Sequence, residues 1–350
     1  MEETWRPVCR IPNDLVRPVP LDPLGASGPT RGQARGTAWR RSSYGLYVPP
    51  PVDGTRVEQR LLEQAARLPP GCAITGWAAL RMHGAVFFDG RDSRDLSPLA
   101  VPVICGVGQL RRAPGVQVLR DRIDPREIVL LHRLPCTTVE RATFDAMRLA
   151  PDIRTAAVAS DMVFAAELTS INRMRRFARQ HPGRPGVIQV GAALALADEH
   201  SRSPTESLMR LVWQLDAGFP HPLCNRAIYT RTGRLIGVPD LLDEEAGVAG
   251  EYDGGFHQKR NRRRRDAARE QAFRAVGLET FKVVAGDLGA GSLVPQRMTA
   301  ARSRARWLPP EQRSWTLVNP HDESPEETLD FRLDRRDLAD EHQRRLDDRS

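Results

Sequence analysis

The order of helix and strand patterns between residues 200 and 292 restricts the fold more than any other feature of the sequence. The run Ser203-Pro204-Thr205-Glu206 predicts a helix start, with Ser at the N-cap, Pro at the first helical position and Glu in a capping box. Apolar residues then recur at helical spacing until Gly218 ends the helix. The following residues predict strands at about 223–229, 234–243 and 248–253, a helix at about 261–276 and a last strand over 279–284. The predicted order is αβββαβ.

The rest of the chain predicts a mixed α/β (α+β) protein with several domains. At 350 residues the chain is too long for one ordinary core, so two or three domains are expected. Residues 30–48 predict a short helical piece, then the strands Arg40–Ser42 and Leu46–Val48. Further patterns predict helices over 55–68, 73–85, 137–149 and 151–200 (interrupted at 181–186), and short strands over 100–131. The last thirty residues are charged and poor in large apolar groups, so we expect a disordered tail.

The distribution of charge indicates a polyanionic partner. The formal net charge is +8, and residues 321–350 hold eleven acidic residues and six arginines, so the rest of the chain carries +13. A basic body of this kind favours nucleic acid as a partner over a membrane, because no basic amphipathic anchor is evident. Only Lys259 and Lys282 are lysines, so a general preference for arginine also explains part of the total. Clusters of charge are therefore better evidence than the sum.

The cysteines and the hydropathy pattern predict a cytoplasmic protein without a membrane partner. The five cysteines are scattered and form no Cys-x-x-Cys pair, which is typical of reduced and mostly buried thiols. No stretch approaches the ~18–20 consecutive apolar residues of a membrane span. The N-terminus lacks the apolar segment of a secretory signal.

Three acidic side chains are predicted to share one face of neighbouring strands. If the turn between the second and third strands begins after Asp243, Asp243 faces Val248 and Asp240 faces Glu251, with Cβ atoms about 5 Å apart. Asp253, two residues beyond Glu251, projects from the same face. A turn shifted by one residue would separate the acids, so the interpretation depends on the register.

Carboxylates this close together favour a bound cation. Hard oxygen ligands suit Mg²⁺ or Mn²⁺ rather than zinc. Such an ion lowers the pKa of a bound water and offsets charge on a phosphate under attack. Asp240 and Glu251 are therefore candidate metal ligands and catalytic residues, and Asp253 is a further catalytic candidate. The alternative is an ordinary exposed hairpin with acids on its solvent face.

A dense basic run follows these acids and is predicted to contact a phosphate backbone. Six of the seven residues from 259 to 265 are cations, namely Lys259, Arg260, Arg262, Arg263, Arg264 and Arg265. The alternative is a solvated helix start, although cations are disfavoured at a helix N-terminus. On the same helix Asp266, Arg269 and Phe273 fall on one face, which predicts an Asp266–Arg269 pair near the site or simple i,i+3 pairing. Arg269 is a further candidate for binding DNA phosphate.

Glu206 and His257 are the remaining site candidates. His257 comes directly after Gly254-Gly255-Phe256, where it would donate a proton to the leaving oxygen or orient a metal-bound water, or serve only as a loop residue. Glu206 either completes the capping box or lends a third carboxylate to the metal. The sequence contains no P-loop, nucleophile elbow, His-Glu-x-x-His or Gly-x-Gly-x-x-Gly motif.

About 90 residues resemble a known nuclease family. The segments SPTESLMRLVWQLDAGFP, GVPDLLD, EYDGGFHQ and RRDAAREQAFRAVGLETFKVVAGDL are similar to the Vsr-like (very-short-patch-repair-like) branch of the PD-(D/E)XK endonucleases. The resemblance implies a restriction-endonuclease-like αβββαβ core and Mg²⁺-dependent hydrolysis of DNA, with Asp240 and Glu251 as metal ligands and His257 as the histidine after the glycines. Asp253 stands where the (D/E)XK pattern has lysine. Lys259, Lys282 or His257 would then supply the missing acid or cation.

The N-terminal half more weakly resembles the antitoxin family of abortive-infection type IV systems. The similar segments are WRRSSYGLYVPP, AITGWAALRMHGA and TTVERATFDAMRL, within about 120 residues. This resemblance implies a small winged-helix-like DNA-binding piece, in which Arg40 and Arg41 are candidate DNA contacts. The predicted parts of the chain are an irregular arm (1–29), the winged-helix-like piece (30–52), an antitoxin-like α/β middle region (53–197), the Vsr-like domain (198–295) and a linker with an acidic disordered tail (296–350).

The expectation from sequence is a cytoplasmic, DNA-acting protein whose C-terminal domain is a metal-dependent endonuclease, in repair, phage defence or a toxin–antitoxin-like system. A toxin or another protein is a further possible partner. The alternative is a non-catalytic DNA-binding regulator or antitoxin with a degenerate nuclease fold. The intact Asp240 and Glu251 favour the enzyme, and the absent lysine favours the regulator.

Overall fold

The structure, a computed structural model, describes residues 11–92, 95–106, 110, 113–254, 260–289, 291–322 and 327–347, with the backbone alone for 260–266. Its internal contacts divide the chain into two compact units. Unit 1 comprises Met1–Ala156 and Ala166–Ala192, and unit 2 comprises Ala157–Ala165 and Ala193–Ser350. The finer division predicted from sequence stays a prediction.

Unit 1 contains two sheets and the helices that cover them. Its strands are β1 (Val19–Pro20), β2 (Arg40–Ser43), β3 (Leu46–Val48), β4 (Ala73–Ile74), β5 (Val101–Ile104), β6 (Val116–Leu119), β7 (Ile128–Leu131) and β8 (Leu134–Thr137). Its helices are α1 (Val57–Ala65), α2 (Gly76–Met82), α3 (Val139–Leu149) and α5 (Ile171–Gln180). Helices α4 (Ile153–Ala165) and α6 (Val187–Leu196) include residues of both units.

The larger sheet of unit 1 has the strand order β6-β5-β4-β8-β7 and is mixed, because β4 pairs parallel to β8 and antiparallel to β5. The predicted helix over 73–85 is wrong at its start, where Ala73 and Ile74 form the central strand. Both residues are fully buried. A short, fully buried apolar run has no periodicity that separates a strand from a helix, which explains the error.

The smaller sheet of unit 1 corrects the prediction for residues 30–52. The β2–β3 hairpin is present and β1 adds a third strand in the order β1-β3-β2. Between residues 30 and 52, all of them described, the only helical piece is a single 3-10 turn over Gln33–Arg35. Glycines at 32 and 36 bracket this turn, and so short a piece cannot nucleate an α-helix. The described residues 30–52 therefore contribute two strands and no α-helix, and the winged-helix-like assignment of this piece stays a prediction.

Over residues 204–284, unit 2 follows the predicted element order, except that two further strands form a separate hairpin. Its elements are α7 (Pro204–Leu215), β9 (Leu223–Cys224), β10 (Ile228–Thr230), β11 (Leu235–Gly237), β12 (Leu241–Asp243), β13 (Val248–Asp253), α8 (Arg260–Ala275), β14 (Glu279–Val284), α9 (Val294–Arg304), β15 (Trp315–Thr316) and α10 (Leu329–Asp347). The first two predicted strands are each split in two. Asn225, with φ +50°, ends β9, and Pro239, which has no N–H to donate to a ladder, separates β11 from β12.

The main sheet of unit 2 has the order β14-β13-β12-β9, in which β13 and β14 are parallel and β12 is antiparallel to both neighbours. One face packs against α7 and α9 through Trp213 and Met298, and Trp213 stacks on Phe281 with ring centroids 5.9 Å apart. The other face packs against α8 through Phe273. The hairpin β10–β11, extended by β15, lies on the α8 side. The sheet is therefore a middle layer between helices.

The end of the chain differs from the predicted disordered tail, because α10 spans Leu329–Asp347. Leu329 and Leu333 are buried, and a Glu341–Arg345 pair at i,i+4 spacing supports the exposed face. Two buried leucines and local pairing were enough for a helix in a segment of low overall hydrophobicity. Among the helices of the described ranges, none combines the length and the apolar character that a membrane crossing requires.

Candidate acidic site

The predicted register of β12 and β13 is confirmed. Asp243 pairs with Val248 and Leu241 with Gly250, so the next position places Asp240 opposite Glu251. The backbone N–H of Tyr252 donates a hydrogen bond of 2.7 Å to Asp240 Oδ2, which fixes the carboxylate at the end of β12. Because side chains alternate along a strand, Glu251 and Asp253 lie on the same face as Ala249, the face that α8 covers.

Glu251 is buried and its carboxylate is held by Arg269 from α8. Arg269 Nε lies 2.7 Å from Oε1, and Arg269 Nη2 donates to Oε2 at 3.1 Å, so the guanidinium contacts both oxygens. The predicted orientation of α8 towards the sheet is confirmed, since Phe273 on the same helix face is fully buried. The partner of Arg269 in the described contacts is Glu251, and the side chain of Asp266, its predicted partner, lies outside the described residues.

Glu206 brings a third carboxylate to this region from the first turn of α7. Ser203 caps the helix, because its Oγ accepts from the Glu206 N–H at 3.2 Å, as the sequence predicted. The Glu206 carboxylate accepts from Ser203 Oγ at 2.9 Å and from the Arg202 N–H at 2.9 Å. The second bond reaches one residue before the N-cap, so the arrangement differs from a standard capping box.

The electrostatics of the site show that these acids interact. Burial, together with the charges of Glu206 and Glu251, raises the pKa of Asp240 to about 7. The Tyr252 N–H and the charge of Arg269 oppose this rise without cancelling it. A carboxylate whose pKa is raised by burial and by like charges is stabilised in its ionised form by any added cation.

Asn225 is a component of the site that the sequence analysis missed. Its Nδ2 donates to Glu206 Oε2 at 2.8 Å and to the His200 carbonyl at 2.9 Å, and its N–H donates to the Asp240 carbonyl at 3.4 Å. Its φ of +50° lies in the left-handed region, which Asn tolerates better than most residues. The available signal was an Asn inside the strand predicted over about 223–229, because Asn is common where a chain changes direction.

A buried polar network anchors the loop between α6 and α7, beside Asn225. Asp161 and Arg210, both fully buried, form an ion pair of 2.7 Å. The Asp198 N–H donates to Asp161 at 2.8 Å, and the Asp198 carboxylate accepts from the His200 N–H and contacts His221 Nε2 at 2.9 Å. Although burial opposes it, these hydrogen bonds lower the pKa of Asp198. Sequence analysis missed the network because Arg210 lies between Met209 and Leu211 in an apolar helix.

The described side chains offer a partial set of metal ligands. Asp240 and Glu251 are hard oxygen donors on one face, which suits Mg²⁺ or Mn²⁺. Among the described residues, no three or more His, Cys, Asp and Glu side chains converge in a group that could hold a metal. The Glu206 carboxylate is already engaged by Ser203, Arg202 and Asn225. Asp240 and Glu251 therefore fit the ion as a pair, with its remaining positions left to water or substrate.

The predicted DNA-contacting residues have different environments. Arg260 and Arg262–Arg265 lie on the first turns of α8, but only their backbone is described, and His257 and Lys259 lie outside the described residues. Arg40 pairs with Glu63 at 2.6 Å while its side chain stays 35% exposed, so its DNA contact stays a prediction. Arg41 is exposed, 5.4 Å from the centre of the Tyr44 ring.

Four of the five cysteines (Cys72, Cys105, Cys136 and Cys224) are buried and outside any disulfide bond, as the sequence predicted for them, and Cys9 lies outside the described residues.

Comparisons of the chain with protein-family models, curated proteins and solved structures found no match.

Proposed function

We propose that unit 2 is a Mg²⁺- or Mn²⁺-dependent DNA endonuclease of the Vsr-like PD-(D/E)XK type. The observation that carries the proposal is the placement of Asp240 opposite Glu251 on neighbouring strands of a mixed sheet, with the pKa of Asp240 raised to about 7. The element order of that sheet and its helices, αβββαβ once the β10–β11 hairpin is set aside, supports it. Free, buried cysteines are consistent with a cytoplasmic setting.

In this proposal Asp240 and Glu251 would hold the ion, and the chemistry it would supply is a lower pKa for a bound water and a positive charge opposite the phosphate. The Tyr252 N–H orients Asp240, and Asn225 holds Glu206 close enough for its charge to act on Asp240. Asp253 assists from the same face of β13. His257 donates the proton to the leaving oxygen or orients the attacking water.

Among the residues that the structure describes, Lys282 is the best candidate to replace the lysine of the (D/E)XK pattern. It is the parallel-register partner of Glu251, so both side chains project from the same face of the sheet. Its Nζ lies 4.0 Å from Glu270 Oε2 on α8. In this proposal a lysine on the adjacent strand would reach the same phosphate as a lysine at position 253, two residues after Glu251.

The arginines at the start of α8 bind the DNA backbone in this proposal. The helix spans Arg260–Ala275 and has no acidic residue in its first turn. Positive side chains there oppose the helix dipole, and a phosphate group would relieve that repulsion. Arg40 and Arg41 of unit 1 are further candidate contacts, and Arg40 is also paired with Glu63.

The second candidate function is a non-catalytic DNA-binding regulator, or an antitoxin with a toxin as its partner. Two observations favour it. Arg269 already supplies a cation to Glu251, and the described residues contain no group of three or more metal ligands. In that case the acids would be part of a degenerate nuclease scaffold.

Metal-dependent melting and nicking separate the two functions. The purified full chain should melt at a higher temperature in Mg²⁺ or Mn²⁺ and nick DNA, because a ligand that binds the native state stabilises it by mass action. Asp240→Asn and Glu251→Gln should lose both effects and still bind DNA through α8. Asp216→Asn, the same chemical change at an exposed position of unit 2, is the matched control.

The enzyme proposal fails if the wild-type protein shows neither metal-dependent melting nor nicking on duplex, mismatched and single-stranded DNA. DNA binding without either effect would support the regulator.

A further inference from the structure

The contact between Arg269 and Glu251 has the geometry of a cation held by the acidic site. The guanidinium contacts both oxygens of Glu251, at 2.7 and 3.1 Å. The contact to Oε2 is a hydrogen bond and the contact to Oε1 is an ion pair, and charged contacts of this kind are stronger than neutral hydrogen bonds. The Glu251 side chain is 9% exposed, so the pair lies at the edge of the protein interior, where charges interact more strongly than in water.

The two halves of the Arg269 side chain have different environments. Its stem is packed, since a Cβ built on Gly237 would lie 3.3 Å from Arg269 Cγ and 2.8 Å from Phe273 Cζ. The side chain as a whole is nevertheless 42% exposed. A packed stem with an exposed head allows the guanidinium to leave Glu251 by rotation of its outer bonds, while α8 stays in place.

We propose that Arg269 is a built-in counter-cation of the acidic site, which a divalent metal ion must displace from Glu251. This inference rests on the proposed function, because it takes Asp240 and Glu251 as the metal ligands. A guanidinium on both oxygens of Glu251 repels a second cation and occupies the directions from which an ion would bind. The affinity of the wild-type protein for metal is therefore lower than its carboxylates alone would give.

Displacement of Arg269 from Glu251 would allow its guanidinium to bind a different group. The basic run that is proposed to bind DNA lies at the N-terminal end of the same helix. Once released from Glu251, the guanidinium would be able to bind a phosphate group, for which its planar fork of donors is suited. Arg269 would then couple metal binding to DNA binding, and by linkage each ligand would strengthen the other.

A purely structural role for Arg269 predicts the opposite effect. If the guanidinium only holds the Glu251 carboxylate in position for the ion, its removal leaves Glu251 misplaced and weakens metal binding. The sign of the change in metal affinity therefore separates the two roles without any measurement of activity.

The test is a titration of the full chain with Mn²⁺, followed by electron paramagnetic resonance of the free ion. Arg269→Met keeps the packed stem and removes the charge, and Arg269→Lys keeps the charge without the fork. We expect Arg269→Met to bind Mn²⁺ on the order of tenfold more tightly than wild type, as for a typical coupling between two ligands. Arg269→Lys should lie between the two. Arg274→Met, on the same helix but paired with Glu270, should match wild type.

Hydrogen exchange over β12 and β13 checks that each variant keeps the fold. Tighter binding by Arg269→Met upholds the inference even if wild-type binding is too weak to measure. Equal or weaker binding by Arg269→Met, when wild type binds, overturns the inference and leaves the proposed function standing. Absence of binding in both proteins overturns the inference together with the metal site on which it rests.

Discussion

Replacing Asp240 by asparagine should make the metal-free protein more stable. The carboxylate is held in a buried position near Glu206 and Glu251, which together raise its pKa from 3.8 to about 7. Asparagine is nearly the same size and its Oδ1 accepts the same hydrogen bond from the Tyr252 N–H. The substitution therefore removes a charge that the folded state disfavours and keeps the contact that the folded state uses.

The size of the effect follows from the pKa difference. A pH unit corresponds to about 1.4 kcal/mol, so the shift from 3.8 to about 7 sets a ceiling of about 4 kcal/mol at high pH. Solvent screening of a half-buried group reduces this, and we expect a gain of about 1–3 kcal/mol in the free energy of unfolding near pH 8.

The effect has a defined dependence on pH. The folded pKa is above the unfolded one, so the destabilisation by Asp240 is absent below about pH 4, where both states are protonated. It grows between about pH 4 and 7, where folding takes up a proton, and is complete above pH 7. The difference between variant and wild type should therefore increase by about 0.5–2 kcal/mol from pH 5 to pH 8.

Urea unfolding of the full chain, with hydrogen exchange of peptides from unit 2 as the readout, measures this difference in metal-free buffer. Asp216→Asn provides the control, since loss of an exposed acid should change the stability by less than about 0.5 kcal/mol at every pH. Titrating groups that do not interact with Asp240 are common to wild type and variant and cancel in the comparison. A difference that stays constant with pH, or an Asp240→Asn protein less stable than the control, would refute the reasoning.

Two further predictions concern the supports of the site. Arg210→Ala should lower the free energy of unfolding of unit 2 by about 3–5 kcal/mol, because buried Asp161 loses its counter-charge; a loss below about 1 kcal/mol in the same urea assay would contradict this. Asn225→Ala should be about 1 kcal/mol less stable than Asn225→Gly, since both lose the amide donors but only alanine is strained at φ +50°. Equal stability of the two variants would mean that the backbone relaxes out of the left-handed region.

The fold of unit 2 could be predicted largely because its signals are local. The Ser203 cap, the apolar spacing of α7 and the β13 strand all appear in the structure as the sequence indicated. Local signals failed where a single residue changes chain direction, so the breaks at Asn225 and Pro239 divided two strands that the alternating pattern had joined. The turn register that aligns Asp240 with Glu251 was predictable because it depends on one short connection.

The composition of the acidic site was less predictable because it depends on contacts distant in sequence. Helix periodicity oriented Arg269 towards the sheet, yet nothing in the sequence indicated that its guanidinium would contact Glu251, 18 residues earlier. The buried Asp161–Arg210 pair joins residues 49 apart, and each sequence neighbourhood alone suggests an ordinary apolar helix. Pairing of this kind follows from tertiary packing, which propensity and periodicity do not encode.

The balance of charges at the acidic site bears on which function the protein has. Asp240 reduces stability at neutral pH, and asparagine would keep its hydrogen bond without that effect. Arg269 offsets the repulsion only in part, because the pKa of Asp240 remains raised in its presence. A residue that destabilises its own fold, and for which a stabilising replacement of the same shape exists, is more readily explained by function than by structure. The charge balance therefore favours the metal-dependent enzyme over the degenerate scaffold, and the Asp240→Asn variant tests this conclusion. The variant could prove more stable than wild type and still keep metal-dependent melting, nicking and DNA binding. In that case the Asp240 carboxylate has no role that offsets its effect on stability, and the enzyme proposal loses its main physical support.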